Sequence, residues 1–178
     1  MQTKNKTGIV MRIQIIGYSG SGKSTLAKRL GEFYGIPYLH LDNLRFYGDW
    51  QERSDEEMTK LVEDFVNKNE SWVIDGCYLK IFPQRFEMTN KTIFLNFNRW
   101  VCYRAAKQRY KENKGTHRES CPCPDKFDWS FRKWLLFTGR TRARKKRQME
   151  ALNKTAGEKL IFKNRKQLMK YLQSLKEK

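Results

Sequence analysis

The stretch Ile13-Gln14-Ile15-Ile16-Gly17-Tyr18-Ser19-Gly20-Ser21-Gly22-Lys23-Ser24-Thr25 decides the fold. Its first four residues form a short strand-like run, and the pattern turns helical from Lys23 to about Tyr34, where Gly35 stops it and Pro37 leads into the next strand. Between strand and helix lies a complete G-x-x-x-x-G-K-[ST]. Its glycines let the backbone curl so that successive N–H groups point inward at phosphate oxygens, and the helix that starts here adds the positive end of its dipole. Gly17, Ser19, Gly20, Ser21 and Gly22 are therefore expected to form a phosphate cradle. Lys23 is expected to reach the β and γ phosphates of ATP, Ser24 to ligate Mg2+, and Thr25 to approach the α phosphate. A strand before the motif and a helix after it are the context this reading requires.

Outward from the motif, short apolar runs alternate with longer helical stretches, the pattern of an α/β chain whose parallel strands are joined by crossover helices. Strands are predicted over residues 13–16, 38–41, 72–74, 93–97 and 160–162. Ser54, followed by Asp55, Glu56 and Glu57, reads as a capping box that opens a helix ending near Asn67. Helical periodicity returns over about 99–110, 129–152 and 166–175, and residues 111–128, with Gly, Pro and polar side chains, read as a mobile loop. Residues 1–10 are predicted to be a disordered extension, and 11–178 one domain with one nucleotide site.

Composition narrows the setting. The chain has 178 residues and a net charge of +18. Residues 1–98 hold 13 Lys+Arg against 12 Asp+Glu, whereas residues 99–178 hold 24 against 7, so nearly all the excess lies in the second half. Such a field attracts phosphate-bearing partners in general: polyphosphates, nucleic acid and acidic surfaces alike. Four irregularly spaced cysteines do not make a disulfide framework and read as free thiols. No leader-like opening is present and no apolar run approaches the ~20 residues that span a bilayer, so a cytoplasmic location without membrane contact is expected.

Two carboxylates stand at strand ends. Asp75 closes Trp72-Val73-Ile74 and precedes Gly76, which places it at the carboxyl edge of the sheet, where it can support magnesium; an Asp-Gly turn is the plainer alternative. Asp42 closes Leu39-His40-Leu41 and is expected to meet the phosphoryl acceptor, as a base or an orienting group, with an Asx turn or helix cap as its alternative. His40 reads as a packed strand residue.

Gly-Tyr-Ser-Gly-Ser-Gly-Lys-Ser-Thr at 17–25, His-Leu-Asp at 40–42, Trp50 with Arg53, Trp-Val-Ile-Asp-Gly-Cys-Tyr at 72–78 and the pair Arg99-Trp100 together resemble the nucleoside-monophosphate-kinase-like branch of P-loop kinases. Within it the match is to the adenylate-kinase-related group called DNA topology modulation proteins, of FlaR type. The resemblance covers nearly everything from Arg12 to Leu172. It implies a five-stranded parallel sheet in order 2-3-1-4-5, an acceptor-binding segment near 42–70, and a basic lid near 104–130 closing over ATP. Cys77-Tyr78 stands where true adenylate kinases have Phe-Pro-Arg, and Asn96 where a carboxylate is more usual.

In that frame Arg104, Arg109 and Arg118 are candidates for charge on the transferring phosphoryl group, because phosphoryl transfer depends on positioning and positive charge. A solvated surface charge is the alternative for each. The run Arg140-Thr-Arg-Ala-Arg-Lys-Lys-Arg147 is basic on every helical face; a solvated helix, a phosphate clamp of one or two arginines, and nucleic-acid binding all remain open. Trp129, Phe131, Trp134 and Phe137 can stack on bases or pack under a lid. His117, Cys121, Cys123 and Asp125 lack the usual two C-x-x-C arms of a zinc site, which favours a loop with spare thiols. The expected activity is transfer of the γ-phosphoryl of Mg-ATP to a small acceptor, a nucleotide or another hydroxyl-bearing metabolite. An ATP-dependent nucleic-acid-binding regulator is the alternative.

Overall fold

The computed structural model describes residues 9–48, 50–114 and 116–176; most of the predicted disordered extension, residues 1–8, lies outside them. The chain opens with β1 (Arg12–Gly17), α1 (Lys23–Tyr34), β2 (Tyr38–His40), α2 (Leu41–Arg45) and the small hairpin β3 (Phe46–Gly48) and β4 (Gln51–Glu52). There follow α3 (Asp55–Lys68), β5 (Trp72–Asp75), α4 (Arg85–Met88), β6 (Lys91–Leu95) and α5 (Arg99–Glu112). The last part holds α6 (Trp129–Leu136), α7 (Arg142–Asn153), β7 (Glu158–Phe162) and α8 (Arg165–Lys176).

Five strands form one parallel sheet in the order β2-β5-β1-β6-β7, which is the expected 2-3-1-4-5 once the separate hairpin is set aside. Ile13, Ile15 and Ile16 of β1, Trp72, Val73 and Ile74 of β5, and Ile93, Phe94 and Leu95 of β6 are all fully buried. Such continuous apolar runs are what a parallel sheet covered on both faces demands. One core joins the sheet to α1 and to the C-terminal elements, and a smaller one lies under α3 around Leu41, Met58, Val62 and Trp72. Among the described residues no helix is long and apolar enough to cross a membrane.

Among the boundaries that differ from the sequence reading, caps explain two. The fourth sheet strand ends at Leu95, because Asn98 turns the chain away and accepts from Trp100 N–H at 2.9 Å to open α5. The helix predicted over 129–152 is two helices: Asp128 caps α6, Thr141 caps α7, and a 3-10 turn at Thr138–Arg140 links them. Gly139 sits in that turn where an added Cβ would lie 2.7 Å from the Trp134 carbonyl oxygen. Ser54 caps α3 as expected, accepting from Glu57 N–H at 3.1 Å.

One polar network runs through the sheet interior. Gln14 of the central strand is fully buried; its amide donates to Ile74 O at 3.1 Å and its oxygen accepts from Arg85 Nε at 3.0 Å. Arg85 is 0% exposed and donates further to Phe82 O at 3.1 Å and Tyr78 O at 2.8 Å. Burial pushes its pKa down to about 10, which leaves it charged at neutral pH. Among the described residues no carboxylate shares the hydrogen bonds of this guanidinium, so carbonyl oxygens and one amide carry its solvation. The arginine thereby fastens the loop after β5 to the central strand. Arg85→Met strips donors from one buried acceptor and two half-buried ones and is expected to destabilise the fold by about 2–4 kcal/mol in urea unfolding. Combining it with Gln14→Leu should cost less than the sum of the two single changes, since both partners of one bond are then gone; a fully additive result would contradict the network.

Candidate active site

The turn after β1 is set by close approach. An added Cβ on Gly17 (φ +148) would lie 2.7 Å from Leu95 O in β6, and one on Gly20 (φ +75) would lie 2.3 Å from Cys102 O in α5. Gly22 (φ +92) instead faces open space, so its requirement is the left-handed backbone with which it caps α1. Cys77 braces this turn from below, accepting from Gly17 N–H at 3.2 Å and donating to Gly17 O at 2.9 Å. Inside the turn, Lys23 Nζ donates to the Tyr18 carbonyl at 3.2 Å, and the Ser21 hydroxyl is buried with no partner among the described residues. A lysine bound to a loop carbonyl, a hydroxyl in want of a partner and the N–H groups of a helix start suit a polyphosphate with its magnesium.

Asp75 ends β5 beside that turn, 3% exposed, opposite Ile15 of β1 and His40 of β2. Its Oδ2 accepts from Ser24 Oγ at 3.0 Å, and its Oδ1 meets His40 Nδ1. Ser24 and Asp75, chosen from the sequence as the metal pair, are thus in contact, and Lys23, Ser24 and Thr25 line the same cleft. Asp42 lies in the first turn of α2, directly after the strand end predicted for it, and lines that cleft as well. Its Oδ1 accepts from the Tyr78 hydroxyl at 2.8 Å. Burial, then the Asp42 charge, holds the Tyr78 pKa far above its ordinary value, so the phenol remains a donor.

The cleft has a volume of about 1470 Å³, and Arg104, Arg109 and Arg118 all reach it. Arg104 is exposed at its rim. Arg109 and Arg118 converge on opposite oxygens of Asp125, at 3.1 and 3.0 Å, and the Asp125 side chain is almost wholly buried between them. Burial and the adjacent Arg118 charge both lower the Arg109 pKa, against the opposing pull of Asp125. Two lid candidates are thus held by one carboxylate that the sequence offered only as a zinc ligand. Two of the other zinc candidates are engaged elsewhere: Cys123 Sγ accepts from Trp50 N–H at 3.2 Å, and His117 Nδ1 lies 2.5 Å from Pro122 O. Among the described residues no three His, Cys, Asp or Glu side chains are grouped to hold a metal ion.

The basic run divides by position. Arg140 turns inward, donating to Phe97 O at 2.9 Å and Leu135 O at 3.0 Å with its guanidinium 3.9 Å from the Tyr18 ring centre. Arg144 lines the cleft, and Lys145 and Lys146 are exposed. A side cavity of about 280 Å³ shares Arg45, Tyr78 and Arg144 with the cleft and adds Lys80, Arg147 and Gln148. Gln148 is 7% exposed and its carbonyl oxygen has no partner among the described residues. The aromatic group divides too: Phe131 and Trp134 stack on each other at the cleft, whereas Trp129 at 76% and Phe137 at 61% exposure face outward. His40, Tyr78, Asp125 and Gln148 are the site residues that sequence reasoning missed. Their roles arise from cross-strand register and loop return, which leave no local pattern.

No family model matches the chain, and no curated protein is similar to it in sequence. Solved structures are similar. A shikimate kinase from Bacteroides thetaiotaomicron superposes with a TM-score of 0.55 at 20% identity, covering 94% of this chain and 97% of that one. A shikimate kinase from Acinetobacter baumannii in complex with shikimate gives 0.50 at 12% identity, covering 94% of each. With the five-stranded parallel sheet and the glycine turn after β1, this likeness gives the chain the α/β P-loop fold of shikimate kinases and nucleoside-monophosphate kinases.

Proposed function

We propose that the chain is a phosphotransferase that passes the γ-phosphoryl group of ATP to a hydroxyl of a small anionic acceptor. The observation that carries this reading is the phosphate cradle facing, across one cleft, an acceptor-side carboxylate whose first oxygen is already occupied by Tyr78. That bond leaves the second oxygen of Asp42 to orient the acceptor hydroxyl. The hydroxyl oxygen attacks the γ phosphorus, its proton passes to Asp42, and the bond to the β–γ bridging oxygen breaks to release ADP. Magnesium, held by Ser24 and Asp75, supplies charge neutralisation on the phosphates. Lys23 and the arginines Arg104, Arg109 and Arg118 of the lid, near 104–130, offset the charge on the transferring group. Residues 42–70 serve as the acceptor-binding segment.

The side cavity supports an anionic acceptor. Lys80, Arg144 and Arg147 exceed what a nucleotide in the cradle requires, and they lie just past Tyr78 from Asp42. A carboxylate or phosphate tail there leaves the hydroxyl end near Asp42. A shikimate kinase in complex with shikimate is among the structural neighbours, and a hydroxy acid is one form such an acceptor takes. A phosphate-bearing nucleotide is another. Four free cysteines accord with a cytoplasmic enzyme.

A second reading, nucleic-acid binding, accords with the resemblance to DNA topology modulation proteins and with the outward Trp129 and Phe137 and the exposed Lys145 and Lys146. DNA affinity should then fall steeply with salt, and replacing Arg142, Lys145 and Lys146 should flatten that dependence. No binding at low salt leaves the kinase alone.

The kinase reading is tested by titrating Mg-ATP and assaying transfer to a panel of hydroxy acids, nucleoside monophosphates, sugar phosphates and neutral polyols. Lys23→Ala should weaken Mg-ATP binding at least about tenfold. Asp75→Asn should impair the metal-dependent part of that binding. Asp42→Asn should keep ATP affinity and lose about 10²–10⁴ in kcat; loss of ATP affinity instead would reverse the roles of the two carboxylates. Arg147→Ala should raise the acceptor KM roughly tenfold with the ATP KM unchanged. Transfer to neutral polyols alone would remove the anionic class.

A further inference from the structure

Asp75 is gripped on both oxygens, Oδ2 by the Ser24 hydroxyl of the phosphate turn and Oδ1 by His40 Nδ1. His40 and Asp75 are register partners on the neighbouring strands β2 and β5, so their side chains leave the same face of the sheet at its carboxyl edge. Both are buried. An ionised carboxylate can only accept, so an imidazole in this place carries its proton on Nδ1 and fixes the rotation of the carboxylate. His40 in turn packs against Tyr38, two residues earlier on the same face of β2, with ring centres 5.3 Å apart and planes at 55°.

The hydroxyl of Tyr38 does not end there. It donates to Glu119, which lies in the segment between α5 and α6. Lys28 of α1 holds the other carboxylate oxygen of Glu119 at 2.6 Å, and the Asn43 side chain of α2 donates to its backbone carbonyl at 2.5 Å. Glu119 is therefore clasped by three elements of the body. Its neighbour Arg118 lines the cleft and pairs with Asp125. Seating Glu119 consequently seats the arginine beside it. A contiguous line of contacts runs from the lid through Glu119, Tyr38, His40 and Asp75 to Ser24.

We infer that His40 is a positioning residue for Asp75, and that through Tyr38 and Glu119 it ties the set of the metal-facing carboxylate to docking of the 116–128 segment. The inference rests on the kinase reading for the identity of the cleft, but not on any acceptor. It makes a demand that mere packing does not. Loss of the Glu119 latch must reduce how much magnesium improves ATP binding, although Glu119 lies outside the phosphate cradle, and it must do so only while His40 is in place.

Calorimetric titration of ATP into the full chain, once with excess Mg2+ and once with a chelator, gives that gain as a ratio of two dissociation constants. His40→Leu should cut the ratio by about tenfold. His40→Asn, which keeps an N–H donor near the Nδ1 position, should restore most of it. Tyr38→Phe, which keeps the ring and deletes the hydroxyl, and Glu119→Gln should each lower the ratio severalfold. Combining either with His40→Leu should lower it no further. An unchanged ratio in His40→Leu and Tyr38→Phe, an Asn variant as poor as the Leu variant, or double variants equal to the product of the singles would each overturn the inference. Absence of Lys23-dependent ATP binding in the unaltered chain would instead overturn the kinase reading, so the two failures are distinguishable.

Discussion

The exit of the central strand is the constraint from which the rest follows. β1 must leave the sheet between Leu95 of β6 and Cys102 of α5 with no room for a Cβ at Gly17 or Gly20. Only a glycine backbone passes, and passing this way it coils into the turn that opens α1. Cys77, from the loop after β5, fills the space beneath with two hydrogen bonds to Gly17. The same close fit brings Asp75 beside Ser24, because Ile15 of β1 and Asp75 are register partners. Sheet order, glycine spacing and the Ser24–Asp75 contact are one packing solution.

A second layer of constraint is polar. The loop from Gly76 to Gln84 has no regular structure to hold it, yet it carries Tyr78 to Asp42 in the cleft. Arg85 holds it by donating to two of its carbonyls and to Gln14 of the central strand. A buried cation is a demanding way to fix a loop, since every donor must be satisfied where water is absent. Its return is geometric: guanidinium donors diverge in one plane and hold three acceptors at set angles.

The positive charge of the second half is therefore not a uniform field. Arg140 is drawn inside onto Tyr18 and backbone carbonyls, and Arg109 and Arg118 are gathered by Asp125 at the cleft. Arg144 and Arg147 face cavities, and Lys145 and Lys146 remain to solvent. A count of charges along the chain merges four separate physical duties.

The glycine turn, the parallel α/β architecture and the positions of Asp42 and Asp75 near strand ends are written locally: glycine spacing for a coiled turn, apolar runs for strands buried on both faces, Ser54 for a helix start. The strand order entered through the family resemblance. The sequence reading missed the break after Leu136, because helical periodicity continues through Thr138–Arg140 while the cap at Thr141 opens a separate helix. Only the tertiary structure decided that His40 meets Asp75, that Tyr78 meets Asp42, that Asp125 gathers two arginines, and that Glu119 clasps three elements of the body. These pairs are separated by 7 to 91 positions along the chain. A contact across that distance is set by sheet register and loop return, and neither leaves a periodic trace in the residues that make it.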